Sequence, residues 1–255
     1  MSDKLRSNIP NLLLMVKPKH FGFNSETAHS NHFQNNSSIN NLKAVVDNCF
    51  EKVLQVFDQN GIDYKIFEDQ EESSPDAVFS NNWISSDLKG RVTLYPMFTK
   101  YRRNEVRKDI ADWVMEVTNG NELIDLTNQA VQQFFLEGTG SIIFDHFSKI
   151  AFACESDRTN IRLFEWYCAK IGYKPISFES LDLKGNSIYH TNVMLSIAEK
   201  YAVINLDSIQ NKLEKSFCKI ALENTGKELI PISYPQMNAF AANVFEVKNT
   251  KNDPV

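Results

Sequence analysis

SIIFDHFSKIAFACESDRTNIRLFEWYCAKIGYKPISFE, residues 141–179, carries the pattern that decides the fold. Two short β-prone runs, SIIFD (141–145) and KIAFACE (149–155), flank a polar turn. Ile161, Phe164, Cys168 and Ile171 then recur at helical spacing, and PISFE (175–179) closes the segment as another strand. The order is strand, strand, helix, strand. Toward the N-terminus it reads VFSNNW (78–83), RVTLYP (91–96), a helix from Arg102 carrying Val106, Ile110, Val114 and Val117, and ELIDL (122–126). Toward the C-terminus it reads NVMLSIA, KYAVINL, a helix with Ile209, Leu213, Phe217 and Ala221, and ELIPIS. NVFEV (243–247) opens a further copy. Unit starts at Val78, Gly140, Asn192 and Asn243 lie roughly 62, 52 and 51 residues apart, a period that marks a repeated supersecondary unit. A doubly wound parallel sheet joins single strands through helices and does not produce this order.

The ends of the chain depart from the repeat. LLLMVKP, a helix from Ile39 to Phe57 and DYKIF (63–67) form an N-terminal unit with one strand fewer. Only about 12 residues follow Asn243, where the period calls for about fifty, so the last unit is expected to be truncated, with NTKNDPV as a turn.

Composition bounds the function. The 255 residues are 42% apolar, 23% charged and 11% aromatic, which suits a globular chain with a sizeable core and excludes a collagen-like or disulfide-stapled one. A net charge of −5 argues against a polyanion-binding surface, so nucleic acid is not an expected partner. No apolar run approaches the roughly eighteen residues of a membrane span, and LLLMVKP reads as a core strand rather than a signal peptide. The cysteines Cys49, Cys154, Cys168 and Cys218 are scattered without a CxxC pair, which points to free thiols in a reducing cytoplasm, three of them buried. The histidines (20, 29, 32, 146 and 190) make no ligand set, and His29-x-x-His32 reads as a polar loop, so neither a metal nor an organic cofactor is expected.

Five local clusters hold residues suited to chemistry. PDAVFSNNW (75–83) sets Asp76 before a strand; LEGTG (136–140) sets Glu137 before two glycines; HTN (190–192) sets His190 at a strand head. YRRNE (101–105) and SDRTN (156–160) put arginines where a strand passes into a helix. Each alone has an ordinary reading: an Asx turn, a hairpin glycine pair, a satisfied histidine, solvated helix-start arginines. Mapped on the repeat they coincide. Asp76, Glu137 and His190 precede the first strand of successive units, and Arg103 and Arg158 start successive helices. Around a pseudo-symmetry axis such positions converge on one site, with a histidine able to carry protons and arginines able to clamp a carboxylate.

With these residues the chain resembles the pentein, or guanidino-group-modifying, superfamily: arginine deiminases, dimethylarginine dimethylaminohydrolases and amidinotransferases. It is most similar to amidinotransferase-like citrulline-utilisation hydrolases. The resemblance runs through MVKPKHFGFNSETAHSNHFQ (15–34), PDAVFSNNW, LYPM with YRRNE, FLEGTGS, ACESDRTN, YHTNVML and MNAFAANVFEV. It implies a single domain over residues 1–255, a pentein α/β propeller of strand–strand–helix–strand units. It also implies a hydrolase acting on a C–N bond of a guanidino or ureido amino acid through a covalent cysteine intermediate. By the same resemblance Asp76 grips substrate nitrogens, Glu137 pairs with substrate and orients His190, and His190 is the general acid/base. Arg158 and one of Arg102 and Arg103, taken as Arg103, clamp the α-carboxylate. FGFN resembles a substrate-covering loop, with Phe23 and Asn24 as contacts. Asn192 stands where arginine deiminases carry an acid, and its neutral amide suits a neutral ureido group such as that of citrulline. Ala242 replaces a glycine usual in relatives.

The family nucleophile lies in a GG-S-x-R-C-M-like segment near the C-terminus, and none of the four cysteines here follows a glycine pair. The alternative is therefore a non-catalytic remnant or amino-acid-binding protein of the same fold. The strand edges left by an incomplete last unit favour association into a homo-oligomer.

Overall fold

Strands that are apolar at every position, rather than at alternate ones, are those with a sheet neighbour on each side and both faces covered. IAFAC and YAVI are of this kind, and RVTL is buried from Val92 to Leu94; in the computed structural model each is the central strand of a three-stranded sheet. The structure describes residues 9–28, 31, 34, 41–70 and 75–255; His29 and His32 lie outside them. Two compact units are distinguished: Met1–Leu94 with Thr99–Ile124 and Glu246–Val255, and Tyr95–Phe98 with Asp125–Phe245.

In the first unit, β1 (Leu12–Lys17) runs parallel to β2 (Asp63–Glu68) through the helix α1 (Leu42–Asn60), giving the expected two-stranded sheet. β3 (Ile84–Ser86) and β4 (Arg91–Leu94) form an antiparallel hairpin. Helices α2 (Lys100–Arg103) and α3 (Lys108–Val117) follow, and then β5 (Glu122–Asp125), which joins β4 to complete the order β3-β4-β5.

In the second unit a 3-10 stretch, Thr127–Gln132, precedes the single turn α4 (Gly138–Ser141). β6 (Ile143–Asp145) pairs antiparallel with β7 (Ile150–Cys154), α5 (Ile161–Ile171) crosses over, and β8 (Lys174–Phe178) returns parallel to β7. The pattern repeats with β9 (Leu195–Ile197), β10 (Tyr201–Ile204), α6 (Lys212–Glu223) and β11 (Glu228–Pro231), followed by the short α7 (Tyr234–Asn238). Local chemistry sets the boundaries. The Asn160 side chain caps α5 by accepting from Leu163 N, and Gly172 ends it at φ 79°, a left-handed conformation that costs a residue with Cβ. The buried face of α5 is Leu163, Phe164, Tyr167, Cys168 and Ile171, at the spacing the sequence shows.

The strand–strand–helix–strand order is thus present, with four corrections. First, the segments read as the beginnings of first strands are helical turns. Ser80–Asn82 and Thr191–Val193 are 3-10 turns and Gly138–Ser141 a single α turn, with strands starting at Ile84, Leu195 and Ile143. Their amides find carbonyls locally, as in Asn82 N to Phe79 O (3.0 Å) and Met194 N to Thr191 O (3.0 Å), so no ladder partner is needed. Second, the helix from Arg102 is broken: Val106 lies between α2 and α3, where Glu105 turns inward to meet the Arg102 guanidinium. Third, α6 is rotated by one residue from its expected phase. It starts at Lys212, capped by Asn211, and turns Cys218 and Leu222 onto the sheet, leaving Leu213 71% and Phe217 66% exposed. Fourth, NVFEV is not a strand. Val247 and Val255 exchange backbone hydrogen bonds and Lys248 N donates to Pro10 O (2.8 Å), so this segment closes as a turn beside β1.

The α6 phase has a direct test. Leu222→Ala, at a fully buried position, is expected to lower unfolding free energy by about 2–5 kcal/mol in urea titration. Phe217→Lys is expected to change it by less than about 0.5 kcal/mol; the reverse ranking restores the sequence-based phase.

Candidate active site

A carboxylate out of contact with water needs hydrogen-bond donors and positive charge around it. In the second unit that carboxylate is Glu137, fully buried. Its Oε1 accepts from Phe98 N at 3.0 Å. Its Oε2 lies 2.7 Å from His190 Nε2 and 3.7 Å from Arg158 Nη1. Since an ionised carboxylate only accepts, the His190 tautomer that fits carries its proton on Nε2. Arg158 is itself buried and stacks its guanidinium 4.6 Å over the Tyr189 ring, whose neighbour His190 lies ring to ring with it at 4.8 Å.

Local folding brings these groups together. Glu137 immediately precedes α4, and Gly138 adopts φ 44°, a value that glycine takes without the Cβ penalty. The tight turn returns Ser141 N to Glu137 O at 3.0 Å. Leu136 bridges antiparallel to Thr159, which fixes Arg158 alongside Glu137. His190 holds the corresponding place before the turn Thr191–Val193, and Asn192, half-buried, sits within that turn.

In the first unit, Asp76 occupies a turn before Ser80–Asn82 and is buried. Its Oδ2 accepts from Asn24 Nδ2 at 2.7 Å. Asn24 is also buried, with its Oδ1 accepting from Glu26 N, while the adjacent Phe23 is 40% exposed. The two expected loop residues therefore differ in kind: one engages the acid and one offers an apolar ring to solvent.

The two arginines of the pair differ in burial. Arg102 is 2% exposed and spends its guanidinium inside the unit, on Glu105 (3.0 Å), Asn82 Oδ1 (2.8 Å) and the Phe79 carbonyl (3.2 Å). It ties the Asp76-bearing turn to α2. Arg103, its neighbour on α2, is half-buried. The other two described histidines have separate partners: His20 Nδ1 lies 3.1 Å from Asp69, and His146 Nδ1 lies 2.8 Å from the Tyr173 hydroxyl.

Among the thiols, Cys154, Cys168 and Cys218 are buried and Cys49 is exposed on α1. Burial pushes Cys154 up to about 11 and both Cys168 and Cys218 up to about 12. These three are packing groups and stay protonated near neutral pH.

Sequence reasoning missed Asn82, Tyr189, Ser141, Thr159 and Thr191, whose side chains hold the charged groups in place. Their only signal was adjacency to the motifs: Thr191 follows His190, and Ser141 ends the glycine turn after Glu137.

The family described as N,N dimethylarginine dimethylhydrolase, eukaryotic, matches residues 17–255. No protein of curated function matches the chain in sequence. Among solved structures, the chain is similar to ArgZ, an arginine dihydrolase from the ornithine-ammonia cycle in cyanobacteria, with TM-score 0.72 and 18% identity over 95% of this chain and 34% of that one. The ArgZ N-terminal domain bound to product gives TM-score 0.69 and 17% identity, over 94% of this chain and 81% of that one. Dimethylarginine dimethylhydrolase from Pseudomonas aeruginosa, complexed with citrulline, gives TM-score 0.56 and 14% identity, over 90% and 79%. The chain thus spans about a third of full-length ArgZ and about four-fifths of its N-terminal domain. The fold is the pentein fold of guanidino-modifying proteins.

Two measurements check these assignments. Arg102→Ala leaves Glu105 as a buried charge without its guanidinium, and is expected to cost about 3–5 kcal/mol by chemical denaturation. Arg103→Ala is expected to cost less than about 1 kcal/mol; equal losses would contradict the division of roles. With a thiol reagent at pH 8, the native chain is expected to react rapidly at Cys49 alone, and at all 4 cysteines only in denaturant. Rapid native labelling of Cys154, Cys168 or Cys218 would contradict the raised thiol values.

Proposed function

This chain belongs to the eukaryotic N,N dimethylarginine dimethylhydrolase family, and from that premise we propose that it is a hydrolase acting on a C–N bond of a guanidino or ureido amino acid, arginine- or citrulline-like. The observation that carries the reading is the buried Glu137 carboxylate held 2.7 Å from His190 and 3.7 Å from Arg158. A histidine so placed takes up a proton next to a fixed negative charge, which stabilises the imidazolium, and returns that proton to a departing amine. Arg158, 3.7 Å from the same oxygen, offsets part of the negative charge on the buried Glu137.

In this reading Asp76 accepts N–H groups of the ligand, taking the place that Asn24 Nδ2 now fills, and Phe23 covers the bound molecule. Arg103 and Arg158 are the partners for an α-carboxylate. The neutral Asn192 favours a ureido over a guanidinium group, which makes citrulline the first substrate to test.

Attack on the central carbon, by resemblance, belongs to a cysteine thiolate, and the raised thiols of Cys154, Cys168 and Cys218 do not suit that role. This observation favours a second reading, an amino-acid-binding protein of the same fold that does not turn its ligand over. Incubation with citrulline, arginine and dimethylarginine, with ammonia and amine release followed over time and calorimetry in parallel, separates the two. The hydrolase reading expects turnover that falls about 10²–10⁴-fold in His190→Ala and Glu137→Gln. Binding without turnover supports the second reading, and neither binding nor turnover removes both.

A further inference from the structure

The Ser141 hydroxyl is fully buried and has no hydrogen-bonding capacity to spare. A hydroxyl offers one donor and two acceptor positions. Ser141 Oγ donates to Arg158 O at 3.0 Å and accepts from Glu137 N at 3.0 Å and Thr159 Oγ1 at 2.8 Å. Its carbonyl accepts from Thr191 Oγ1 at 2.6 Å, and that same hydroxyl accepts from Cys154 N at 2.8 Å on the buried end of β7. Three chain segments therefore meet at one serine: the turn holding Glu137, the loop holding Arg158 and Thr159, and the turn holding Thr191 directly after His190.

We propose that Ser141 and Thr191 are positioning residues that set the reach of the Glu137 carboxylate to the His190 imidazole. The inference rests on the reading of that pair as the proton-handling groups. Neither hydroxyl has to touch a ligand. Their work is on the backbone: Thr191 anchors the segment one residue from His190, and Ser141 fixes the amide of Glu137 itself. Without Thr191 Oγ1, Ser141 O and Cys154 N lose their shared bridge, and the two turns are no longer joined by a hydrogen bond through that oxygen. A short N–H···O contact to a buried carboxylate depends steeply on distance and angle, so a shift of a fraction of an ångström weakens it.

The test uses Thr191→Val, which removes one oxygen at nearly constant volume, Thr191→Ser, which keeps the hydroxyl and removes a methyl, and Ser141→Ala. The readout is the downfield proton resonance of His190 Nε2–H in the ligand-free protein, assigned by its loss in Glu137→Gln. It is expected to persist in Thr191→Ser and to broaden or vanish in Thr191→Val and Ser141→Ala, with near-UV circular dichroism unchanged. Citrulline binding by calorimetry is expected to weaken about tenfold in Thr191→Val and by less than about twofold in Thr191→Ser. An unchanged resonance in folded Thr191→Val overturns the proposal. So does failure of that variant to fold, which would make the hydroxyl a determinant of the whole unit rather than of the pair. If citrulline, arginine and dimethylarginine all fail to bind while the resonance still responds to Thr191→Val, the substrate reading fails and the positioning role stands.

Discussion

The burial of Glu137 is the constraint around which the second unit is arranged. A carboxylate removed from water loses several kcal/mol of solvation unless donors and positive charge replace it. Here the replacement is complete at both oxygens: a backbone amide from Phe98 on one, His190 and Arg158 on the other. Arg158 in turn needs the Tyr189 face, and the segments that carry these groups need the hydroxyls of Ser141, Thr159 and Thr191 to hold them at bonding distance. Each polar group in the chain of contacts is there because the previous one is buried. An arrangement so interlocked holds the His190 imidazole in a defined orientation.

The first unit solves a similar problem with a different charge. Arg102 is the buried ion, and Glu105, Asn82 and main-chain carbonyls enclose it. It holds the turn that presents Asp76, whose carboxylate is met by the Asn24 amide. An amide nitrogen donating to that acid is chemically close to what a guanidino or ureido nitrogen would offer. In both units the candidate acids sit before a helical turn rather than on a strand. A turn at the strand head lifts a side chain off the sheet, whereas a strand would commit it to one of two faces.

Much of this was legible in the residues. The central strands IAFAC and YAVI announce themselves because burial on both faces demands continuous apolar runs, and α5 because its apolar positions coincide with its buried ones. Glu137 and His190 were found because they occupy equivalent places in successive repeats. What failed did so for identifiable reasons. VFSNNW has the composition of a strand, but a strand is defined by a ladder partner and these amides bond within their own turn. In α6 both faces carry large apolar residues, so periodicity alone was unable to say which one meets the sheet; the Asn211 cap and the packing on β8 settled it.

The sequence by itself determined the repeated strand–strand–helix–strand order and the identity of the charged residues that recur with it, because these follow from periodicity and from position within a repeat, while the pentein fold class came from the resemblance its motifs carry. Tertiary structure decided which arginine of the pair is buried, which cysteines are sealed as thiols, and how hydroxyls scattered from Ser141 to Thr191 converge on a single carboxylate. Those outcomes depend on distances between residues far apart in the chain, and a hydrogen bond, unlike hydrophobic periodicity, leaves no repeating trace along it.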